Sequence, residues 1–173
     1  VVTNGMMIPN YSKSIDFEKY NTLGVTQYGQ MTAGSYMYIG PQGIVHGTTI
    51  TLMNAARKFC KGKLKGKIFV TAGLGGMSGA QPKAASITGM VSITAEINET
   101  AALKRYNQGW VDEIHYDVND AILSASKSHS EKGNKSIAFI GNIVDLWEAV
   151  IQNNLNVDLG SDQTSLHNPW AGG

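Results

Sequence analysis

Little in this 173-residue sequence is set up for covalent stapling, metal binding or membrane crossing. Cysteine occurs once, at Cys60, which excludes an intrachain disulfide and fits a reducing compartment. The four histidines, His46, His115, His129 and His167, show no metal-ligand spacing, so no metal is expected. No apolar run approaches the ~20 residues of a membrane span. Charged residues make up only 16%, and 14 basic against 13 acidic side chains leave a formal charge of +1. That balance supplies no electrostatic pull toward nucleic acid or an anionic membrane. The densest basic stretch, "RKFCKGKLKGK" at 57–67, reads as a solvated helix end and loop. Cys60 lies inside it without any accompanying histidine motif, so a plain helix-end thiol is favoured over a nucleophile.

What the chain does have is 42% hydrophobic residues and 20 glycines, the profile of a globular protein with many turns or close backbone approaches. A domain of this length buries roughly 70% of its unfolded surface and needs no staple. The expected division is an N-terminal segment and helix over 1–60, leading into a core over 61–173. Starting at "VVTNGM" without Met and stopping at "NPWAGG", the chain reads as a piece of something larger.

Residues 1–45 show no sustained period and read as irregular or as a connection to further parts of the protein. From Thr48 to Phe59 the pattern turns helical. Strand and helix then alternate. Strands are expected at "KIFVTAG" (67–73), "VSITAE" (91–96), "WVDEIH" (110–115), "SIAFIG" (136–141) and "VDLGSD" (157–162). Helices are expected over 79–90, over 98–109 with Asn98 as cap, from Val118 to Gly133, and along the stripe Ile143, Leu146, Trp147, Val150 and Ile151. This alternation predicts an α/β fold, a Rossmann-like doubly wound parallel sheet with helices on both faces.

In such folds ligands sit beyond the carboxyl ends of the strands. "AGLGGMSGAQP" leaves the first strand and opens a helix, whose N-terminus offers free N–H groups and a partial positive charge to a phosphate. Gly73 and Gly75 give G-x-G, but the third expected glycine is Ser78, with Gly79 one place later. A structural turn explains that near-miss about as well. The context favours a cradle, because Glu96 ends the second strand twenty residues after Gly76, where an acid can accept bonds from ribose hydroxyls. The same carboxylate repels a 2′-phosphate, which favours NAD over NADP. A second polar group, Gln163, Thr164, Ser165 and His167, follows the last strand and is either ordinary loop chemistry or part of the same site. Asn142 is either a plain helix cap or a cap that also faces the dinucleotide.

Taken together, "YGQMTAG", "YIGPQGIVHGT", "TAGLGGMSGAQP" and "SDQTSLHNP" resemble the urocanase (urocanate hydratase) family of histidine degradation, essentially from Val1 to Gly173. The resemblance implies tightly held NAD+ and addition of water to urocanate to give imidazolone propionate. NAD+ serves there as an electrophile and electron sink, not as a hydride carrier. Carried over by position, the NAD+ contacts fall on Gln30, Gly76, Met77, Ser78, Glu96, Asn142, Ile143, Gln163, Thr164, Ser165, Leu166 and His167. Ser78 stands where glycine is usual, and Ala101 stands where an arginine contact is expected, so that either Arg105 compensates or the adenosine end is held differently. The family's catalytic cysteine lies beyond the matched stretch, so Cys60 does not inherit its role and the fragment alone is expected to be inactive. A cytoplasmic homodimer is implied for the full-length enzyme, with NAD+ and urocanate as its ligands. The alternatives from other classes are an NAD-dependent dehydrogenase domain and a non-catalytic nucleotide-sensing module.

Overall fold

Short runs rich in β-branched residues make the strands, and helices of nine to thirteen residues carry the chain between them. The computed structural model describes residues 14–24 and 42–161. Its strands are β1 (Ile68–Ala72), β2 (Val91–Glu96), β3 (Glu113–His115), β4 (Ser136–Ile140) and β5 (Leu159–Gly160). Its helices are α1 (Ser14–Thr22), α2 (Gln42–Phe59), α3 (Ala80–Thr88), α4 (Glu99–Asn107), α5 (Val118–Ser130) and α6 (Ile143–Gln152). The sheet order is β3-β4-β2-β1-β5 and every pairing is parallel.

The two-residue period of the strands sorts the core into two layers. Ile68 and Val70 of β1, Val91 and Ile93 of β2, and Ile137 and Phe139 of β4 pack with Ala121, Ile122 and Ala125 of α5 and Leu146, Ala149 and Val150 of α6. The alternate residues face the other way. Phe69 packs with Leu52 and Ala56 of α2 and Ala84 and Ala85 of α3, while Ala138 packs with Ala102 of α4, Leu74 and Val111. Helices therefore cover both faces, as the alternating pattern predicts. At the amino ends of the strands, Asp158 accepts from Lys67 Nζ at 2.7 Å and from the Ile68 amide at 2.9 Å, which ties β5 to β1.

The chain divides into two compact units, residues 1–39 with 164–173, and residues 40–163. Helix α1 belongs to the first and corrects the reading of 1–45 as irregular. Asp16 in its first turn and Lys19 in its last suit the helix dipole, although no regular apolar stripe announces it. Helix α2 begins six residues before the expected Thr48, through Gly43 and Gly47. Each glycine costs a helix roughly 1 kcal/mol, and burial of Leu52 and Ala56 outweighs that local preference. β3 and β5 are shorter than expected because side chains take over their ladders. Ser136 N–H donates to Asp112 Oδ2 ahead of β3, and Asp158 Oδ2 takes the Ile68 amide ahead of β5.

Candidate functional site

The loop between β1 and α3 starts at Gly73, whose φ of 88° turns the chain out of the sheet in a region that L side chains avoid. Gly73 N–H still pairs with Ala95 O of β2 at 2.8 Å, so the exit stays fastened to the neighbouring strand. A tight turn follows, closed by Gly79 N–H on Gly75 O, Ala80 N–H on Met77 O and Gln81 N–H on Ser78 O. Gly79 caps α3 with no side-chain hydrogen bond, and Pro82 occupies the first turn. Among the described residues, the N–H groups of Gly75, Gly76, Met77 and Ser78 have no hydrogen-bond partner. Gly76 is exposed, and Met77 and Ser78 are half-buried. These four successive donors lie in the turn just ahead of α3, whose own first amides are already paired, and a run of free backbone N–H groups in a turn forms a site for an anion.

Glu96 lies beside this loop, on the β2 face that carries α3 and α4. Its Oε2 accepts from the Leu74 amide at 2.5 Å and its Oε1 from the Asn98 amide at 2.8 Å. An ionised carboxylate has roughly four acceptor positions, so two remain for hydroxyl groups of a ligand. The pairing of β1 with β2, Ala72 opposite Ala95, places the glycine turn and the carboxylate side by side. Had the register slipped by one residue, Glu96 would project from the opposite face.

Asn142 follows β4 and caps α6, with Oδ1 accepting from the Val144 amide at 2.9 Å. Both Asn142 and Gly141 stand at the carboxyl end of the sheet next to Glu96, since Gly141 N–H donates to Glu96 O at 3.1 Å. Ile143 is half-buried and packs against the α5–α6 layer. The structure thus brings Gly76, Met77, Ser78, Glu96, Asn142 and Ile143 to one end of the sheet. Gln30, Gln163, Thr164, Ser165, Leu166 and His167 lie outside the described residues. Ser161, just ahead of the last group, meets Thr71 Oγ1 at 3.0 Å and donates to Gln81 Oε1 at 2.7 Å. Gln81 and Ser161 border a cleft of about 450 Å³ between α2, α3 and β5.

Arg105, the candidate substitute for the arginine absent at Ala101, grips the glycine turn. It is 6% exposed, and its guanidinium donates from Nε to Leu74 O at 3.0 Å, from one terminal nitrogen to Gly75 O and from the other to Gln108 Oε1. Its planar head stacks 5.0 Å from the Trp110 ring. Ala101 packs against the cluster of Leu74, Ala102, Val111 and Ala138. No sequence signal marks Arg105, because α4 inverts the usual preference: Leu103 and Tyr106 are exposed while the charged residue is buried.

The titratable cluster outside this end is structural. Glu113 of β3 binds Lys135 Nζ at 2.6 Å, Ser124 Oγ and His115 Nε2. Burial opposes its charge, but hydrogen bonds from Lys135, Ser124 and His115 outweigh it and hold the carboxyl at about 2. Among the described residues no group of histidine, cysteine and acidic side chains could hold a metal ion. Within the same residues, no helix is long and apolar enough to cross a membrane.

Comparison with known proteins agrees with this fold. Residues 40–172 match the urocanase Rossmann-like domain, and residues 1–37 match the urocanase N-terminal domain. The chain is 58% identical over 173 residues to a probable urocanate hydratase of Caenorhabditis elegans, covering 99% of this chain and 26% of that protein. It is 59% identical over 175 residues to a probable urocanate hydratase of Dictyostelium discoideum, and 52% identical over 179 residues to the urocanate hydratase of Homo sapiens. Those two alignments cover 100% of this chain, again with 26% of each relative. The chain thus spans about a quarter of the length of these relatives, and it belongs to the urocanase family.

Proposed function

We propose that this chain is the NAD+-binding part of a urocanate hydratase, a hydro-lyase that adds water to urocanate to give imidazolone propionate in histidine degradation. One observation carries the reading: in the turn ahead of α3, four successive amides without a partner among the described residues lie beside a carboxylate with acceptor positions to spare. The diphosphate sits on the amides of 75–78. Gly76, Met77 and Ser78 take part through main-chain N–H, which is why serine is acceptable where glycine is usual. Glu96 accepts from the hydroxyls of the adenosine ribose, and Asn142 and Ile143 border the same end of the sheet. Gln30, Gln163, Thr164, Ser165, Leu166 and His167 complete the contacts assigned by the family resemblance.

When bound, the nicotinamide ring supplies an electrophile and electron sink for the imidazole of urocanate. The residues of this chain bind and orient the dinucleotide so that this ring is presented in a fixed place. The catalytic cysteine belongs to the rest of the protein, so Cys60, half-buried at the end of α2, has no part in the reaction. The full-length protein is read as a cytoplasmic homodimer, and this chain alone does not hydrate urocanate.

Mass spectrometry of the purified, denatured chain should detect co-released NAD+. In the full-length protein the urocanate absorption band should decay while absorbance in the NADH band stays flat. Growth of the NADH band would instead support a dehydrogenase, and a urocanate band that never decays would support a nucleotide sensor.

A further inference from the structure

We propose that Arg105 is the positioning residue of the cradle: it holds the carbonyls of Leu74 and Gly75 so that the amides joined to them face the dinucleotide. The inference rests on the NAD+ reading and deepens it. A trans peptide unit is planar, and its C=O points opposite to the N–H of the following residue. Among the described residues no peptide bond is cis. Arg105 Nε donates to Leu74 O, so the Gly75 N–H must point away from the guanidinium. The same argument applies to the bond from its terminal nitrogen to Gly75 O, which turns the Gly76 N–H away as well. One side chain thus orients two consecutive donors.

The fork is itself held rigidly. Gln108 Oε1 accepts from the remaining terminal nitrogen at 2.7 Å, and Trp110 stacks on the guanidinium plane. On the other side of the same residue, Glu96 Oε2 accepts the Leu74 N–H, which belongs to the preceding peptide unit. The loop is therefore gripped at N–H by β2 and at C=O by α4. This also accounts for the displaced third glycine of the fingerprint. A Cβ at Gly79 would overlap Arg105 Nε and lie 2.6 Å from Gly75 O, so the position the arginine crosses is the one that must stay bare. At Ser78 no such crossing occurs, and a side chain is accommodated.

The test uses the full-length protein with Arg105→Lys and Arg105→Met, and Lys104→Ala on the exposed side of α4 as control. Lysine keeps the charge but cannot bridge two carbonyls as a planar fork does. After removal of bound nucleotide, calorimetry should show NAD+ affinity reduced about tenfold or more for Arg105→Lys, the scale of one or two charge-assisted hydrogen bonds. Hydration by that variant should return to the wild-type kcat at high added NAD+, with the KM for urocanate unchanged, because the cradle is misoriented and the chemistry is intact. Arg105→Met should lose affinity further. Lys104→Ala should bind as wild type does. NAD+ affinity within twofold of wild type in Arg105→Lys overturns the assignment. So does a loss that added NAD+ fails to reverse and that tracks the unfolded fraction seen by circular dichroism. A wild-type protein that binds no NAD+ removes the underlying reading and this assignment together, whereas wild-type binding with an unaffected variant removes the assignment alone.

Discussion

At the residue scale, Glu96 serves both the protein and the proposed ligand, and two substitutions separate those roles. Its carboxylate accepts the Leu74 and Asn98 amides. Glu96→Gln keeps one acceptor oxygen but loses the charge, whereas Glu96→Ala loses everything. Hydrogen bonds to a charged group contribute about 1.5–3 kcal/mol, so Glu96→Ala should weaken NAD+ binding by roughly tenfold to a hundredfold, with Glu96→Gln between it and wild type. Calorimetry that finds equal affinities in all three proteins would remove Glu96 from the site. Gly79→Ala is a sharper probe of packing. Its methyl group has no room between Arg105 Nε and the carbonyls of Leu74 and Gly75. We expect a loss of about 1–3 kcal/mol in stability, typical of overpacking, visible as a lower urea midpoint. Two of the three obstructing atoms are backbone carbonyl oxygens, so changing the side chain at 105 would not restore the loss, and an unchanged urea midpoint in Gly79→Ala would contradict the proposed clash.

At the element scale, the cap of α6 and the edge strand β3 each make a prediction. Asn142 Oδ1 already accepts the Val144 amide, so Asn142→Ala should cost about 1 kcal/mol of stability through the lost cap. If Asn142 also faces the dinucleotide, affinity for NAD+ falls as well, and Asn142→Ser, which can still cap, separates the two effects. Unchanged stability in Asn142→Ala would show that this cap is dispensable. β3 is tied to its surroundings through Glu113, whose carboxyl is held at about 2 against an ordinary value of 4.5. A carboxyl with a depressed folded pKa stabilises the fold above its ordinary value, and that contribution disappears as pH falls from about 4.5 through about 2. The side chain is 33% exposed, so solvent screening reduces the gain to the order of 1 kcal/mol. Urea midpoints at pH 5 and pH 2.5 should therefore differ less in Glu113→Gln than in wild type. An identical acid sensitivity in both would assign it to other carboxylates.

At the scale of the whole molecule, the parallel sheet and its two helical layers follow from features that local sequence carries: β-branched runs, caps and the apolar stripe of α6. Helix α1 and the first turns of α2 were not legible, because one lacks a regular stripe and the other runs through glycines that only tertiary packing makes tolerable. The pairing of the glycine turn with Glu96 was legible from spacing, but the clamp by Arg105 was not, since a charged residue on a helix reads by default as solvated. That arrangement leads to a prediction about the entire ligand. If backbone amides hold the diphosphate and Glu96 the adenosine ribose, the adenosine half supplies much of the binding and the nicotinamide little of it. ADP-ribose should then raise the melting temperature of the chain nearly as much as NAD+. A ligand at a hundred times its Kd stabilises by about 2.7 kcal/mol, enough for a shift of several degrees. NADP+ places a second negative charge against Glu96, a repulsion of about 4 kcal/mol at 4 Å and an effective dielectric of 20, less where water screens it. It should shift the melting temperature little at the same concentration, and Glu96→Gln should narrow the gap between the two dinucleotides. Equal stabilisation by NAD+ and NADP+ in the wild-type chain would mean that the carboxylate beside Leu74 faces something other than a ribose.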